Sequence, residues 1–218
     1  MEIPLNIGSL QDFRQWALSD EFPESGRIDF IGGRIEVDMS PEDLFVHGTL
    51  KTEIVFGLGG LLKQRDLGHL FTDATRISSP DADLSAEPDV VFLSEQAIDA
   101  GRVRLVPKAS GKEHRYVEIE GGPDMVVEIV SDSSLKKDTE RLPAAYFEAG
   151  VNEYWLVDAR GEELVFQIHC RGSSAFEPAT ADQEGFQPSK VFDVAFRLDR
   201  RRDAKGRPAY DLVVRDSA

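Results

Sequence analysis

Two acids stand inside runs of apolar residues in this sequence, and that placement is its first sign of chemistry. Asp89 follows Pro88 and opens Val90-Val91-Phe92-Leu93, while Glu128 interrupts the run from Met125 to Val130. Each run reads as a buried strand, where a carboxylate is costly unless something pairs with it. A divalent cation held between the two acids would satisfy both, because hard oxygen donors suit such ions. A core Arg or Lys beside Glu128, or a strand end open to solvent, would satisfy it equally well, so the residues alone leave both readings open.

The elements that must carry these acids follow from periodicity. Met125 to Val130 forms a strand, a helix ending near Gly150 follows, and Glu153 to Asp158 forms a second buried strand. A strand, helix, strand succession within about 35 residues predicts a crossover unit with parallel strands. Upstream, Ser9 followed by Asp12 predicts a capped helix ending near Asp20. Arg27 to Ile31 and Arg34 to Met39 flank Gly32-Gly33, the pattern of a tight hairpin. From Pro41 to about Gln64, Leu44, His47, Leu50, Ile54, Leu58 and Leu61 recur at helical spacing, with Gly57, Gly59 and Gly60 weakening the end. His69 to Ser78 and Asp89 to Ser94 read as strands separated by a polar segment, Ser79 to Pro88. Gly101 to Gly122 is expected to be a hairpin insertion, and Leu164 to Cys170, Val191 to Leu198 and Tyr210 to Arg215 read as antiparallel strands.

One α/β domain over residues 1–218, with a β-rich extension from about residue 160, accommodates these elements around one core. No apolar run approaches the roughly 20 residues that span a bilayer. Met1 to Asp20 has no signal-peptide core, so a cytoplasmic protein without membrane association is expected. Cys170 is the only cysteine, which excludes an intrachain disulfide and a cysteine-based zinc site. Forty acidic residues against 25 basic give a net charge of −15, which disfavours general binding to phosphate backbones. A metal-dependent nuclease is not excluded, because its site is acidic until its cations arrive.

The run Glu87-Pro88-Asp89-Val90-Val91, then Pro123 to Ser131, then Asp138, Tyr146 and Gly150 to Asp158, resembles in order and spacing the Uma-two family of bacterial restriction endonucleases. That family belongs to the PD-(D/E)XK nuclease superfamily. The resemblance extends from the hairpin at Asp29 to Met39, through Ser40-Pro41 and His47, to about Asp158. It implies a restriction-endonuclease-like α/β fold, a mixed central β-sheet flanked by α-helices, and metal-dependent cleavage of DNA. Carried across, Asp89 matches the first motif acid and Glu128 the second, both expected to ligate Mg²⁺ or Mn²⁺, with the Ile129 carbonyl as a third oxygen. Glu53 is the candidate for a helical acid that many superfamily members add, and His47 could contact phosphate or assist proton transfer. The superfamily lysine, two positions past the second acid, is replaced here by Val130. A substitute position four past Asp138 holds Leu142, leaving Lys136 and Lys137 as candidates. Tyr146 and Trp155 are expected to pack, Gly150 to end the helix, and Asp138 and Asp158 to be turn or cap residues.

The leading expectation is therefore a Mg²⁺-dependent endonuclease acting on DNA as a homodimer, since two copies about a twofold axis can cut both strands. The alternative is a catalytically inactive interaction protein that retains the nuclease fold, favoured by the displaced lysine and the −15 charge. A serine hydrolase is disfavoured, because no Gly-x-Ser-x-Gly elbow occurs.

Overall fold

Ser9 caps the first helix as expected: its hydroxyl accepts from the Asp12 N–H, and α1 (Leu10–Ala17) buries Leu10, Phe13 and Trp16. The computed structural model describes residues 3, 4, 6–108 and 112–216. β1 (Arg27–Ile31) and β2 (Arg34–Asp38) form the hairpin, and Gly32 and Gly33 take φ of 56° and 75°, which the tight turn requires. A π-helical turn, Leu44–Gly48, then leads into α2 (Thr49–Arg65). Its widened hydrogen bonds run from Gly48 N–H to the Asp43 carbonyl and from Thr49 N–H to the Leu44 carbonyl.

The single strand expected from His69 to Ser78 is two, β3 (His69–Thr72) and β4 (Arg76–Ser79), in different sheets. Asp73 and Ala74 take φ of 35° and 52° and turn the chain from one sheet to the other. The polar segment after them holds β5 (Leu84–Ala86), too short to show alternation in sequence. β6 (Val90–Leu93), α3 (Glu95–Asp99), and the hairpin of β7 (Val103–Pro107) and β8 (Tyr116–Gly121) follow. Part of that expected hairpin insertion, residues 109–111, lies outside the described residues. Next come β9 (Met125–Ile129), a second π-helical turn at Lys137–Arg141, α4 (Leu142–Glu148) and β10 (Glu153–Asp158). β9 and β10 pair in parallel, as the crossover pattern predicts. The chain closes with β11 (Val165–Arg171), β12 (Phe176–Pro178), β13 (Gln187–Ser189), β14 (Val194–Arg202) and β15 (Pro208–Asp216).

One sheet has the order β2-β1-β5-β4-β8-β7 and a second, mixed sheet the order β12-β11-β10-β9-β6-β3. Alternation along the second sheet divides its side chains between two cores. Val90, Phe92, Val127, Ile129 and Trp155 pack with Leu50, Ile54 and Leu58 of α2 and with Phe192 and Phe196 near the third sheet, β13-β14-β15. Val91, Val126 and Tyr154 face the other way, toward Leu142 and Tyr146 of α4. This is the mixed-sheet α/β architecture that the family resemblance implies. Among the described residues, no helix is long and apolar enough to cross a membrane.

α2 continues through its three glycines to Arg65. A Cβ on Gly57 would meet Leu212 Cδ2 at 3.0 Å, so this glycine lets the C-terminal hairpin seat closely on the helix, whereas a Cβ on Gly60 would meet nothing within 4 Å. Gly60→Ala should therefore raise stability by about 0.5–1 kcal/mol through helix propensity. Gly57→Val should lower it by about 1–3 kcal/mol through overpacking. Urea midpoints at constant m-value read both, and shifts of the same sign would refute the packing account.

Candidate functional site

Strand register brings Asp89 and Glu128 together. β6 and β9 pair antiparallel with Val90 opposite Val127, which sets the preceding residue, Asp89, opposite Glu128. Both are buried, and they share a face with Val91 and Val126. Asp89 Oδ2 accepts from the Ile129 N–H at 2.7 Å. Glu128 Oε1 accepts from the Tyr146 hydroxyl at 2.5 Å, while its buried Oε2 has no hydrogen-bond partner.

Three basic side chains converge on Asp89. Arg27 Nη2 donates to Oδ1 at 2.8 Å, Lys51 Nζ lies 3.4 Å from the same oxygen, and His47 Nε2 lies 3.5 Å from Oδ2. Arg27 also reaches toward the second acid, with Nη1 3.9 Å from Glu128 Oε2. Burial alone would raise the Asp89 pKa; contact with His47 and the charges of Arg27, His47 and Lys51 instead hold it far below the usual carboxylate range. Glu128 behaves oppositely: burial, then the neighbouring Asp138 and Asp89, push its pKa well up. Two facing carboxylates with divergent pKa values are a common mark of a functional site.

Lys137 enters from the second π-helical turn. It is buried and donates to Asp29 Oδ2 at 2.8 Å. Burial opposes its charge, but Asp29 and then Glu128 outweigh that and leave its pKa raised. Lys136, its neighbour in sequence, is exposed. Asp138, expected as a turn or cap residue, does lie in that turn, but it is buried, its Oδ1 has no partner, and burial pushes its pKa up to about 6 against the pull of Lys137 and Ser134. Tyr146, expected only to pack, holds Glu128.

Glu53 does not join this group. It accepts from the Leu212 N–H at 2.9 Å and anchors β15 to α2. His47 does join, from the π-helical turn, and α2 itself supplies Lys51, four residues on, to the same carboxylate. Lys51 also donates to Glu42 at 2.9 Å and to Asp73 at 2.5 Å, drawing the left-handed break between the sheets against the site. Ile129 lines the cleft above and contributes its N–H to Asp89. That cleft, about 900 Å³, is walled by seven carboxylate residues, with Arg27 and Arg160 as its two guanidinium side chains.

A hard dication fits two features of this chain: the facing carboxylates, and the buried Glu128 Oε2 that no protein group satisfies. Glu42, His47 and Asp89 also present ligand atoms within 4.8 Å of one another beside it.

A mixed sheet flanked by helices, with two buried acids behind a cleft lined by Arg27, His47 and Ile129, defines a restriction-endonuclease-like α/β protein. The chain belongs to the Uma2 family, described as "Putative restriction endonuclease", whose profile matches residues 10–201. Its fold is shared with a crystal structure described as a "putative nuclease belonging to DUF820" from Anabaena variabilis. The two are 19% identical with a TM-score of 0.61, over 84% of this chain and 90% of the other. No curated protein matches the chain.

Proposed function

We propose that this protein is a divalent-metal-dependent endonuclease of the PD-(D/E)XK type that hydrolyses DNA phosphodiesters. The observation that carries this reading is the pair Asp89 and Glu128, opposed across β6 and β9 with one carboxylate oxygen unsatisfied. Asp89, Glu128 and the Ile129 carbonyl would hold Mg²⁺ or Mn²⁺. Such an ion polarises a scissile phosphate and lowers the pKa of an attacking water. Lys137, fixed by Asp29 beside Glu128, supplies the positive charge that the displaced motif lysine would have given. His47, between Asp89 and Glu42 at the cleft wall, is placed to pass a proton to or from substrate oxygen. Cleavage of DNA by the purified protein with Mg²⁺ or Mn²⁺ tests the reading.

DNA as substrate must be reconciled with the −15 charge. Residues 200–207 carry five cations, Arg200, Arg201, Arg202, Lys205 and Arg207, against Asp203, a local excess of four. Arg207 stacks over the ring of Phe45 at 5.3 Å, two residues before His47, so this hairpin tip packs against the turn that carries His47. Replacing Arg202, Lys205 and Arg207 together by Ala should weaken binding of duplex DNA and reduce the salt slope by about one per lost phosphate contact. An unchanged slope would place DNA elsewhere. A homodimer belongs to the same reading, because a twofold axis offers one site to each strand, and light scattering at micromolar concentration reads it.

The second reading, an inactive interaction protein that keeps the nuclease fold, is favoured by the three basic side chains already gathered on Asp89. Absence of cleavage with either metal would select it.

A further inference from the structure

We propose that Arg27 is a displaceable counter-ion. A dication entering between Asp89 and Glu128 releases its guanidinium, which then binds a phosphate of the substrate strand in the cleft. The proposal rests on the nuclease reading for the identities of the cation and the phosphate.

The geometry shows a cation shared unequally. Arg27 hydrogen-bonds Asp89 at 2.8 Å but approaches Glu128 only to 3.9 Å, leaving Oε2 unpartnered. One guanidinium therefore compensates one acid well and the other poorly. A dication, with donor distances of about 2.0–2.6 Å, can draw oxygens of both, and its charge would repel Arg27 from the same space. Asp89 can release Arg27 without being stranded, because the Ile129 N–H, Lys51 and His47 remain.

Arg27 has somewhere to go. It is the first residue of β1, its side chain is 21% exposed, and both it and Gly26 line the cleft. Its backbone stays paired with Asp38 while the long side chain swings. A phosphate entering among seven carboxylate residues needs a cation facing it, and Arg27 is one of two guanidinium side chains there. Its planar fork suits bidentate phosphate binding. Arg27 would thus oppose the metal and assist the substrate, so its loss should affect the two with opposite signs.

Opposite signs make the test specific. Arg27→Gln should bind Mn²⁺ about tenfold tighter or more by calorimetry, since removing a like charge at 4–6 Å shifts a charged equilibrium by one to three powers of ten. In the presence of Mn²⁺ the same variant should bind a non-cleavable phosphorothioate duplex about tenfold more weakly. Arg27→Lys, which keeps the charge and loses the fork, should keep near wild-type Mn²⁺ affinity and bind the duplex with an intermediate affinity; it guards against misfolding of the Gln variant. Mn²⁺ binding that is unchanged or weaker in Arg27→Gln overturns the proposal while leaving the metal site intact. Tighter Mn²⁺ binding with unaltered duplex affinity overturns the phosphate step. No Mn²⁺ binding by either variant or by wild type overturns the metal site itself, and the proposal with it.

Discussion

Single-turnover cleavage with Mg²⁺ or Mn²⁺ is expected to fall by about 10³-fold or more in Asp89→Ala and in Glu128→Ala. Loss of one preorganised electrostatic group typically costs about 10²–10³, and these changes remove the group that would hold the ion itself. Glu128→Gln makes the sharper test. It keeps the volume beneath Tyr146 and an oxygen to accept its hydroxyl, but removes the anion, so it should fold and remain inactive. Saturating enzyme separates a lost chemical step from weakened binding. If wild type and Asp89→Ala give the same background on supercoiled, linear and single-stranded DNA, the interaction-protein reading prevails.

Lys137→Ala should cost about 3–5 kcal/mol of stability, because it removes the ion-pair partner of the buried Asp29 and leaves it the Glu87 N–H. Lys136→Ala, at an exposed position, should stay within about 0.5 kcal/mol. Guanidinium denaturation compares them. A structural role alone would end there, so activity must be separated from folding. The double variant Asp29→Asn with Lys137→Met removes both charges and should recover much of the lost stability. Its cleavage should remain depressed if the ammonium serves the phosphate. Wild-type cleavage by the double variant would reduce Lys137 to a structural partner, and Lys137→Ala unfolding at the wild-type midpoint would refute even that.

The sequence made the two-acid pair legible because strand alternation and pairing are local patterns, and an acid in an apolar run violates them visibly. The same signal was present at Asp29, set among Ile28, Phe30 and Ile31, and would have found the partner of Lys137. On α2, helical periodicity points to Lys51 as the companion of His47. Glu53, six residues from His47, falls on a different face and meets β15. Arg27 left no comparable trace: it reaches Asp89 across 62 positions of sequence, a contact set by tertiary packing. The break between β3 and β4 was also silent, since Asp73 and Ala74 adopt left-handed conformations without a glycine or proline to mark them.

The two wide turns at the starts of α2 and α4 carry a consequence for insertions and deletions. A π-helical turn holds one residue more than an α-helical turn of the same span, and each residue rotates a helix by about 100°. His47 and Lys137 both lie within such turns, upstream of helices whose inner faces are pinned by Leu50, Ile54 and Leu58 and by Leu142 and Tyr146. Deleting one residue from 44–48 or 137–141 would leave those cores in register and swing His47 or Lys137 off target. The aim of the site is thus adjustable in single-residue steps that the two hydrophobic cores would scarcely register, the stability cost at 137–141 falling on the Lys137–Asp29 pair.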